Sequence, residues 1–485
     1  MKLFVWCGTF TPGRKVAKKT RKERPTADYA WLARKANEFM LVAHQNNLAS
    51  LDTMSRPIKN TSGIIDATFP YQVCINLDRR LQRWQQMQGK FARHGIHSVC
   101  RFPAIDGNEI ELPKDWAHTP GAYGCLRSHV EVVRRARDLG VSSVLIFEDD
   151  VAFDEDFETK FAAGIADLPA DWDMLFFGAL HKEEPIRITE NLARITQANS
   201  TFACALRGTV FDAFIELNSN TKEVLDINSL VLQQRFNCYC FMPHLAWVET
   251  DVSDAQQRLM DHWYLRESLV VFGREVDRLL NETTIVFAHG NHSGGEDAMA
   301  NLMYLVRYYH HYFSPHVEIK VVEQGLRPSV DAASLPTNCE YIFLHSDGPF
   351  NSELCFATGI RHSDPSRTRF ILTDNDVYLE TLHIRANLRM CERYDYVSGF
   401  DEIIDLDRDD SIRLRAAKTP KGLDFAKNGS AHDGRKSLCL FLNREAMEGK
   451  GQRGDNLETT LSLLTSDSQN GNRVFHSPNH ALRLN

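Results

Sequence analysis

From residue 71 to residue 150, apolar runs too short for helices alternate with stretches of helical spacing, and the last run ends in three consecutive acids. "YQVCINL" (71–77), "SVCRFPAI" (98–105) and "SSVLIFEDD" (142–150) read as strands. "RRLQRWQQMQGKFARHG" (79–95) places Leu81, Trp84, Met87 and Phe91 at helical intervals and stops at Gly95. "GAYGCLRSHVEVVRRARDLG" (121–140) is a second helix, stopping at Gly140. A strand–helix–strand–helix–strand order predicts an α/β layer fold with a parallel sheet. In such sheets ligands bind beyond the carboxyl ends of the strands. Glu148, Asp149 and Asp150 fall at such an end, where like charges resist desolvation unless something positive joins them.

The pattern restarts near residue 283. "TTIVFAHG", "VEIKVVEQ", "EYIFLHSD" and "RFILTDNDVYLE" read as strands, with "EDAMANLMYLVRYYHHYF" a helix between the first two. The fourth strand ends in Asp374 and Asp376 around Asn375, a second acidic strand end. Between the halves, Leu259, Trp263, Leu269, Phe272, Val276 and Leu280 are spaced as on one amphipathic helix over 254–280. This predicts two similar architectures in tandem rather than a close sequence repeat. A chain of 485 residues is also too long for one ordinary core.

Composition narrows the class. Hydrophobic residues make up 43% and charged residues 25%, the profile of a globular protein. A net charge of -8 argues against nucleic acid as the main partner. No apolar run reaches the roughly 18 residues of a membrane span, and the opening "MKLFVWCGTF" lacks the shape of a secretory signal. Eleven cysteines without a C-x-x-C pair point to free thiols in a reducing cytoplasm, not to zinc. Residues 14–24, "RKVAKKTRKER", are either a solvated basic tail or a contact for an anionic membrane surface. Residues 27–52 carry helical spacing.

The chemistry follows from the acids. Mg²⁺ and Mn²⁺ take oxygen ligands, often one or two carboxylates plus substrate phosphates. A D-x-D arrangement at a strand end offers such ligands, and the cation can neutralise a leaving diphosphate. An isolated acidic turn is commonplace, so the reading depends on its surroundings.

Those surroundings carry a resemblance. "CINLDRRLQRWQQM", "RFPAIDG", "TPGAYGCLRSHVEV", "VLIFEDDVAF", "DWDMLFFG", "VLDINSLV" and "MPHLAWVETDVSD" resemble, in order, the segments of glycosyltransferase family 25, which includes lipooligosaccharide and procollagen galactosyltransferases. The resemblance implies a GT-A fold, metal dependence and inversion at the anomeric carbon. It implies that Asn76, Arg79 and Arg80 lie near the nucleotide and that Ser128 and His129 line the donor pocket. Glu148 and Asp149 would face the donor and Asp150 the metal, with Asp226 as base by position alone. The residue types leave other roles open: a turn cap for Asn76, a solvated helix start for the arginines, a core histidine for His129, a helix cap for Asp226.

The second half resembles, more loosely, the β-1,4-galactosyltransferase and chondroitin-polymerase type. "VEIKVVEQG", "YIFLHSDGPFNSELCFATGI", "FILTDNDVYLE", "LCLFLNREAMEGKGQRGDNLE" and "VFHSPNH" carry it. It implies Glu323, Asn351 and Asp374 at the donor, Asp376 and His476 at a metal, and Asp455 or Glu458 as base. The chain departs from that type in two places. Asn291 and His292 stand where an Arg is usual, and the acceptor signature is reduced to "GQRGDNLE".

The expected organisation is a basic helical segment (1–68), a family-25-like domain (69–253), a linker helix (254–282) and a second domain (283–485). The fold class is α/β: two tandem GT-A-like, Rossmann-related nucleotide-sugar-binding domains joined by a helical linker. The expected function is a bifunctional, Mn²⁺- or Mg²⁺-dependent inverting glycosyltransferase. It would move galactose-type sugars from UDP-sugars to an oligosaccharide or lipid-linked acceptor of a surface glycan such as lipopolysaccharide or capsule. The expected location is the cytoplasm, with peripheral contact at the inner membrane face through the basic segment. The alternative is one active domain beside a non-catalytic glycan-binding domain.

Overall fold

The computed structural model describes residues 63–255, 258–290, 296–416, 430–432, 438–444, 474–478 and 480–484. The basic segment, the helix expected over 27–52, and Asn291, His292, Asp455 and Glu458 lie outside the described residues. No helix among the described residues is long and apolar enough to cross a membrane.

In the first half, β1 (Gln72–Asn76), α1 (Leu81–Arg93), β2 (Val99–Pro103), α2 (Pro120–Asp138) and β3 (Ser143–Glu148) follow the expected order. A short β4 (Val151–Phe153) comes after the acids. β5 (Met174–Phe176), β6 (Ala203–Arg207), α3 (Leu225–Gln233), β7 (Cys238–Phe241) and β8 (Ala246–Val248) complete the half. The main sheet runs β2-β1-β3-β6-β5-β7, then Leu192–Arg194 and Ile186–Arg187. It is mixed rather than parallel, because β6 lies antiparallel between β3 and β5. The chain leaves β5 through a hairpin region and returns along the sheet, so β6 needs no helical crossover.

The second half has its own sheet. β9 (Thr283–Gly290), α4 (Glu296–Phe313), β10 (Glu318–Gly325), β11 (Cys339–His345), α5 (Ser352–Arg361) and β12 (Arg369–Asp374) open it. β13 (Val377–Tyr378), α6 (Thr381–Met390), β14 (Tyr396–Ser398), β15 (Cys439–Asn443), β16 (Val474–His476) and β17 (His480–Arg483) follow. The order is β11-β10-β9-β12-β15-β14-β16. The two halves repeat one local plan. Each acidic strand has the half's first strand parallel on one side and an antiparallel strand on the other: β1-β3-β6 and β9-β12-β15. Each acidic turn leads into a short strand that pairs outside the main sheet, β4 with β8 and β13 with β17.

The single linker helix does not form. Asp251–Ser253 and Arg258–Met260 pair as a hairpin, and short helices cover Trp263–Arg266 and Arg274–Asn281. The breaks have a backbone cause: Ser268 sits at φ 52° and Gly273 at φ 100°, both left-handed. The apolar positions still go inside, since Trp263, Leu269, Val276 and Leu280 are all buried. They belong to one cluster with Phe147, Phe161 and Phe177 of the first half and Phe287, Ile371 and Phe441 of the second. At the join, His383 Nε2 lies 3.1 Å from the Asp261 carbonyl and the Arg385 guanidinium lies 5.1 Å above the Phe272 ring.

Candidate active site: two acidic strand ends

Helix α1 supplies the positive charge that the first acidic turn needs. Met87 and Phe91 are buried, and Arg83, one turn earlier on the same stripe, is only 7% exposed. Leu81, expected on the apolar face, is instead exposed. Arg83 NH1 lies 3.1 Å from Asp149 Oδ1 and 3.7 Å from Asp150 Oδ2, and NH2 lies 2.6 Å from Asp251 Oδ2. Burial works against the guanidinium charge, but Asp150 and Asp149 outweigh it and raise its pKa. Sequence reasoning weighed Arg79 and Arg80 and passed over Arg83. The signal was its place four residues before Met87 and eight before Phe91.

The three acids divide their roles. Asp149 is held by the chain itself: Asn76 Nδ2 donates to its Oδ2 at 2.6 Å, and Arg83 takes its Oδ1. Asn76 also donates to the Arg80 carbonyl at 2.9 Å and accepts from Arg101 Nε at 2.7 Å, so it braces the turn. Asp150 differs, because its Oδ1 is buried without a hydrogen-bond donor. Burial and then Asp149 push its carboxyl up to about 6. Glu148 is raised well above its usual value by burial and then by Asp150, Asp226 and Asp149. An acid cluster still short of positive charge after Arg83, with a buried bare carboxylate oxygen, fits a hard divalent cation. Asp150 and Glu148 are the residues that would hold it. Asp149 is committed to Asn76 and Arg83.

These acids border a cavity of about 90 Å³ also lined by Ile75, Arg79, Asp106, Ser128, His129 and Asp254. Ser128 donates to the Gly124 carbonyl at 2.7 Å and accepts from Ile105 N at 2.8 Å, fixing the loop after β2 to α2. His129 is buried with Nδ1 3.0 Å from the Cys125 carbonyl. Burial lowers its pKa to about 4, so it is neutral at pH 7 and supplies no charge to Glu148, 3.8 Å away. Arg79 and Arg80 meet Asp254 at 2.7 Å and 3.2 Å, and Arg79 also meets Asp106 at 2.8 Å. Asp226 is not a cap: Val224 holds that position, and Asp226 Oδ1 accepts from Ser200 N at 3.0 Å. Burial raises its carboxyl, while Ser200 N and Lys182 oppose the shift.

Two glycines explain the G-x-x-G of α2. A Cβ on Gly121 would stand 2.1 Å from the Asp254 carbonyl oxygen, and one on Gly124 would stand 2.3 Å from the Ile105 oxygen. Both neighbours are backbone and line the cavity. Gly124→Ala is expected to cost about 1–3 kcal/mol by overpacking and to weaken ligand binding in the cavity with it, read by thermal melting with and without nucleotide.

The raised carboxyl of Asp150 has a pH consequence. A folded pKa of about 6 against 3.8 means its favourable contribution is present at low pH and lost as pH rises through about 6. The metal-free protein is therefore expected to lose melting temperature between about pH 4 and about pH 6.5, relative to the same protein with Mn²⁺. Melting curves in chelator and in Mn²⁺ at both pH values check this.

The second acidic end is only partly built as expected. Asp374 Oδ2 accepts from Leu438 N at 2.8 Å, and burial raises its carboxyl to about 7 against that bond. Burial also raises Asp376. His289, at the end of β9, lies 2.7 Å through Nδ1 from Asn375 Nδ2 and was not singled out in the sequence. Glu323 does not stand free for a donor. Its oxygens accept from Ser329 N, Ser329 Oγ, Val330 N and Tyr341 OH, and these bonds outweigh burial to lower its pKa. Asn351 caps α5, accepting from Leu354 N at 2.8 Å. His476 ends β16 at the same sheet edge as Asp374, three strands over in the order β12-β15-β14-β16.

The comparisons with known proteins fall on the first half. Residues 70–184 match Glycosyltransferase family 25 (LPS biosynthesis protein). A Glycosyltransferase 25 family member from Drosophila pseudoobscura pseudoobscura is 31% identical over 148 residues, 27% of this chain and 24% of that protein. Procollagen galactosyltransferase 2 from Mus musculus is 27% identical over 150 residues, 26% of this chain and 24% of that protein. The chain thus spans about a quarter of the length of the curated relatives it matches. A solved mannosyltransferase from Pyrobaculum calidifontis, in complex with GDP-Man and Mn²⁺, aligns at 13% identity and TM-score 0.24 over 42% of this chain and 56% of its own. That likeness is too low to carry an argument. By sequence, strands β1 to β5, helices α1 and α2 and the Glu148–Asp149–Asp150 turn are therefore similar to glycosyltransferase family 25.

Proposed function

We propose that this chain is a glycosyltransferase whose first half moves a hexose, galactose by family likeness, from a UDP-sugar to a glycan acceptor with inversion. The observation that carries the reading is Asp150 Oδ1, buried and without a donor beside a cavity in the family-25-like segment. A bound Mn²⁺ or Mg²⁺ supplies charge neutralisation for the departing diphosphate. The protein's own residues do the rest. Arg83 and Asn76 keep Asp149 fixed so that the turn holds its shape. Arg79 lines the cavity and Arg80 shares its partner Asp254; they offer guanidinium groups once Asp254, and for Arg79 also Asp106, yields them. Neutral His129 and Ser128 keep the wall rigid. Asp226 is the candidate base for the acceptor hydroxyl, worth roughly 10²–10⁴-fold if it reaches that proton.

The second half is read as a second transferase site of the same class, adding to the same growing surface glycan such as lipopolysaccharide or capsule. The repeated β1-β3-β6 and β9-β12-β15 plan supports this, as do the raised carboxyls of Asp374 and Asp376. Two sites on one chain would pass an intermediate locally at high effective concentration. The reading includes a cytoplasmic protein whose basic segment touches an anionic, lipid-linked acceptor surface. One observation favours the alternative of a non-catalytic second half: Glu323 and Asn351 are spent on the chain's own backbone.

A UDP-release assay over a panel of nucleotide sugars with Mn²⁺ separates the two. With two working sites, Asp376→Ala is expected to remove turnover of one donor by about 10²-fold or more and spare the other. If Asp376→Ala leaves every donor untouched, the second half binds glycan without turning it over.

A further inference from the structure

The cysteine pattern argues against zinc by spacing, yet the fold gathers a soft ligand set elsewhere. His181, Cys240 and His244 offer ligand atoms that all lie within 4.8 Å of one another, and all three residues are buried. None of them lines the cavity at the acidic turn. His181 ends a two-residue strand, Leu180–His181; Cys240 lies in β7; His244 stands just before β8. The two histidines are 63 positions apart in sequence, so no local motif marks them.

The hydrogen bonding makes the cluster unusual. His244 Nδ1 lies 2.8 Å from the Leu265 carbonyl, which can only accept. That proton assignment leaves His244 Nε2 as a bare lone pair. His181 Nε2 faces it at 3.1 Å. Without an ion, His181 must carry its proton on Nε2, and its buried Nδ1 is then a lone pair with no donor. Cys240 Sγ has only a 3.4 Å contact with the carbonyl of its neighbour Phe241.

The distances suit an ion. Zn–N bonds of about 2.0–2.1 Å put two imidazole nitrogens on a tetrahedral ion about 3.3 Å apart, close to the 3.1 Å found here. A backbone carbonyl holding the other nitrogen of a ligating histidine is the usual way its tautomer is set. We propose that His181, Cys240 and His244 form a buried zinc site, with Cys240 bound as thiolate and one tetrahedral position left for a further ligand. The thiol proton leaves to solvent on binding. Such a site ties β7 to the Leu180–His181 strand and, through the His244–Leu265 bond, to the chain that leads into the second half.

The test uses the full chain, untagged, stripped of metal and reconstituted with zinc alone. Elemental analysis after dialysis is expected to give one zinc per chain for wild type and a loss of at least tenfold in affinity for Cys240→Ser. Cobalt in place of zinc is expected to show thiolate-to-metal absorption that Cys125→Ser keeps and Cys240→Ser loses. Cys125→Ser is the control because Cys125 sits with His129 and Glu148 in the other ligand cluster. Should Cys240→Ser fail to fold, thiolate absorption of cobalt on wild type and Cys125→Ser decides alone. Absence of that absorption, no zinc retained by wild type, or zinc retained equally by folded Cys240→Ser overturns the proposal.

Discussion

Replacing Asp150 with alanine is expected to lower Mn²⁺-dependent sugar transfer by about 10³-fold, the size of roughly 4 kcal/mol of lost charge stabilisation. The argument rests on how the acids share their partners. Asp149 is bonded to Asn76 and Arg83, whereas Asp150 keeps one buried oxygen unmatched. The same substitution is expected to leave the metal-free fold as stable as wild type or slightly more so near pH 7. An ionised carboxylate whose pKa burial raises to about 6 is a liability there until a cation joins it. The two effects separate catalysis from folding in one variant. A UDP-release assay reads the first and melting in chelator reads the second. Turnover within tenfold of wild type, at saturating Mn²⁺, would remove Asp150 from the metal site.

Arg83→Met is expected to act in the opposite sense, on the fold first. It deletes the guanidinium that meets Asp149, Asp150 and Asp251 while keeping an apolar side chain on the buried stripe of Met87 and Phe91. Breaking one partner out of a buried charge cluster costs about 3–5 kcal/mol, because the remaining charges stay buried without compensation. The side chain and its Asp149 partner are 8% and 12% exposed, so solvent does little to screen the loss. The loss should shrink as pH falls and the carboxylates protonate, and Mn²⁺ should restore part of it. Urea midpoints at two pH values, with and without Mn²⁺, measure this. A midpoint equal to wild type in chelator at neutral pH would mean that Arg83 is not the counter-charge of the turn.

Much of this protein is legible in its sequence because periodicity reports which residues face a core. The β1–α1–β2–α2–β3 order, the restart at β9 and both acidic strand ends follow from apolar runs and their spacing. The family-25 resemblance of the first half agrees with the match over residues 70–184. Periodicity misled where backbone conformation intervened. Residues 254–280 have helical spacing, but left-handed Ser268 and Gly273 divide them while Trp263, Leu269, Val276 and Leu280 still enter the core. It also misled at α1, where Leu81 is exposed and Arg83 takes the inner stripe.

The sequence by itself determined that two acid clusters would end two buried strands, since a strand's length and alternation are local properties. It could not say which acid would be spent. Asp149 is engaged by Asn76 and Arg83, and Glu323 by donors of the 329–330 loop and Tyr341, through contacts made only when distant segments pack. Nor could it show that His181, Cys240 and His244 converge, because they come from a two-stranded ladder, from β7 and from the loop before β8. Burial and charge compensation depend on what lies across the sheet or under the next loop, and only the tertiary structure decides that.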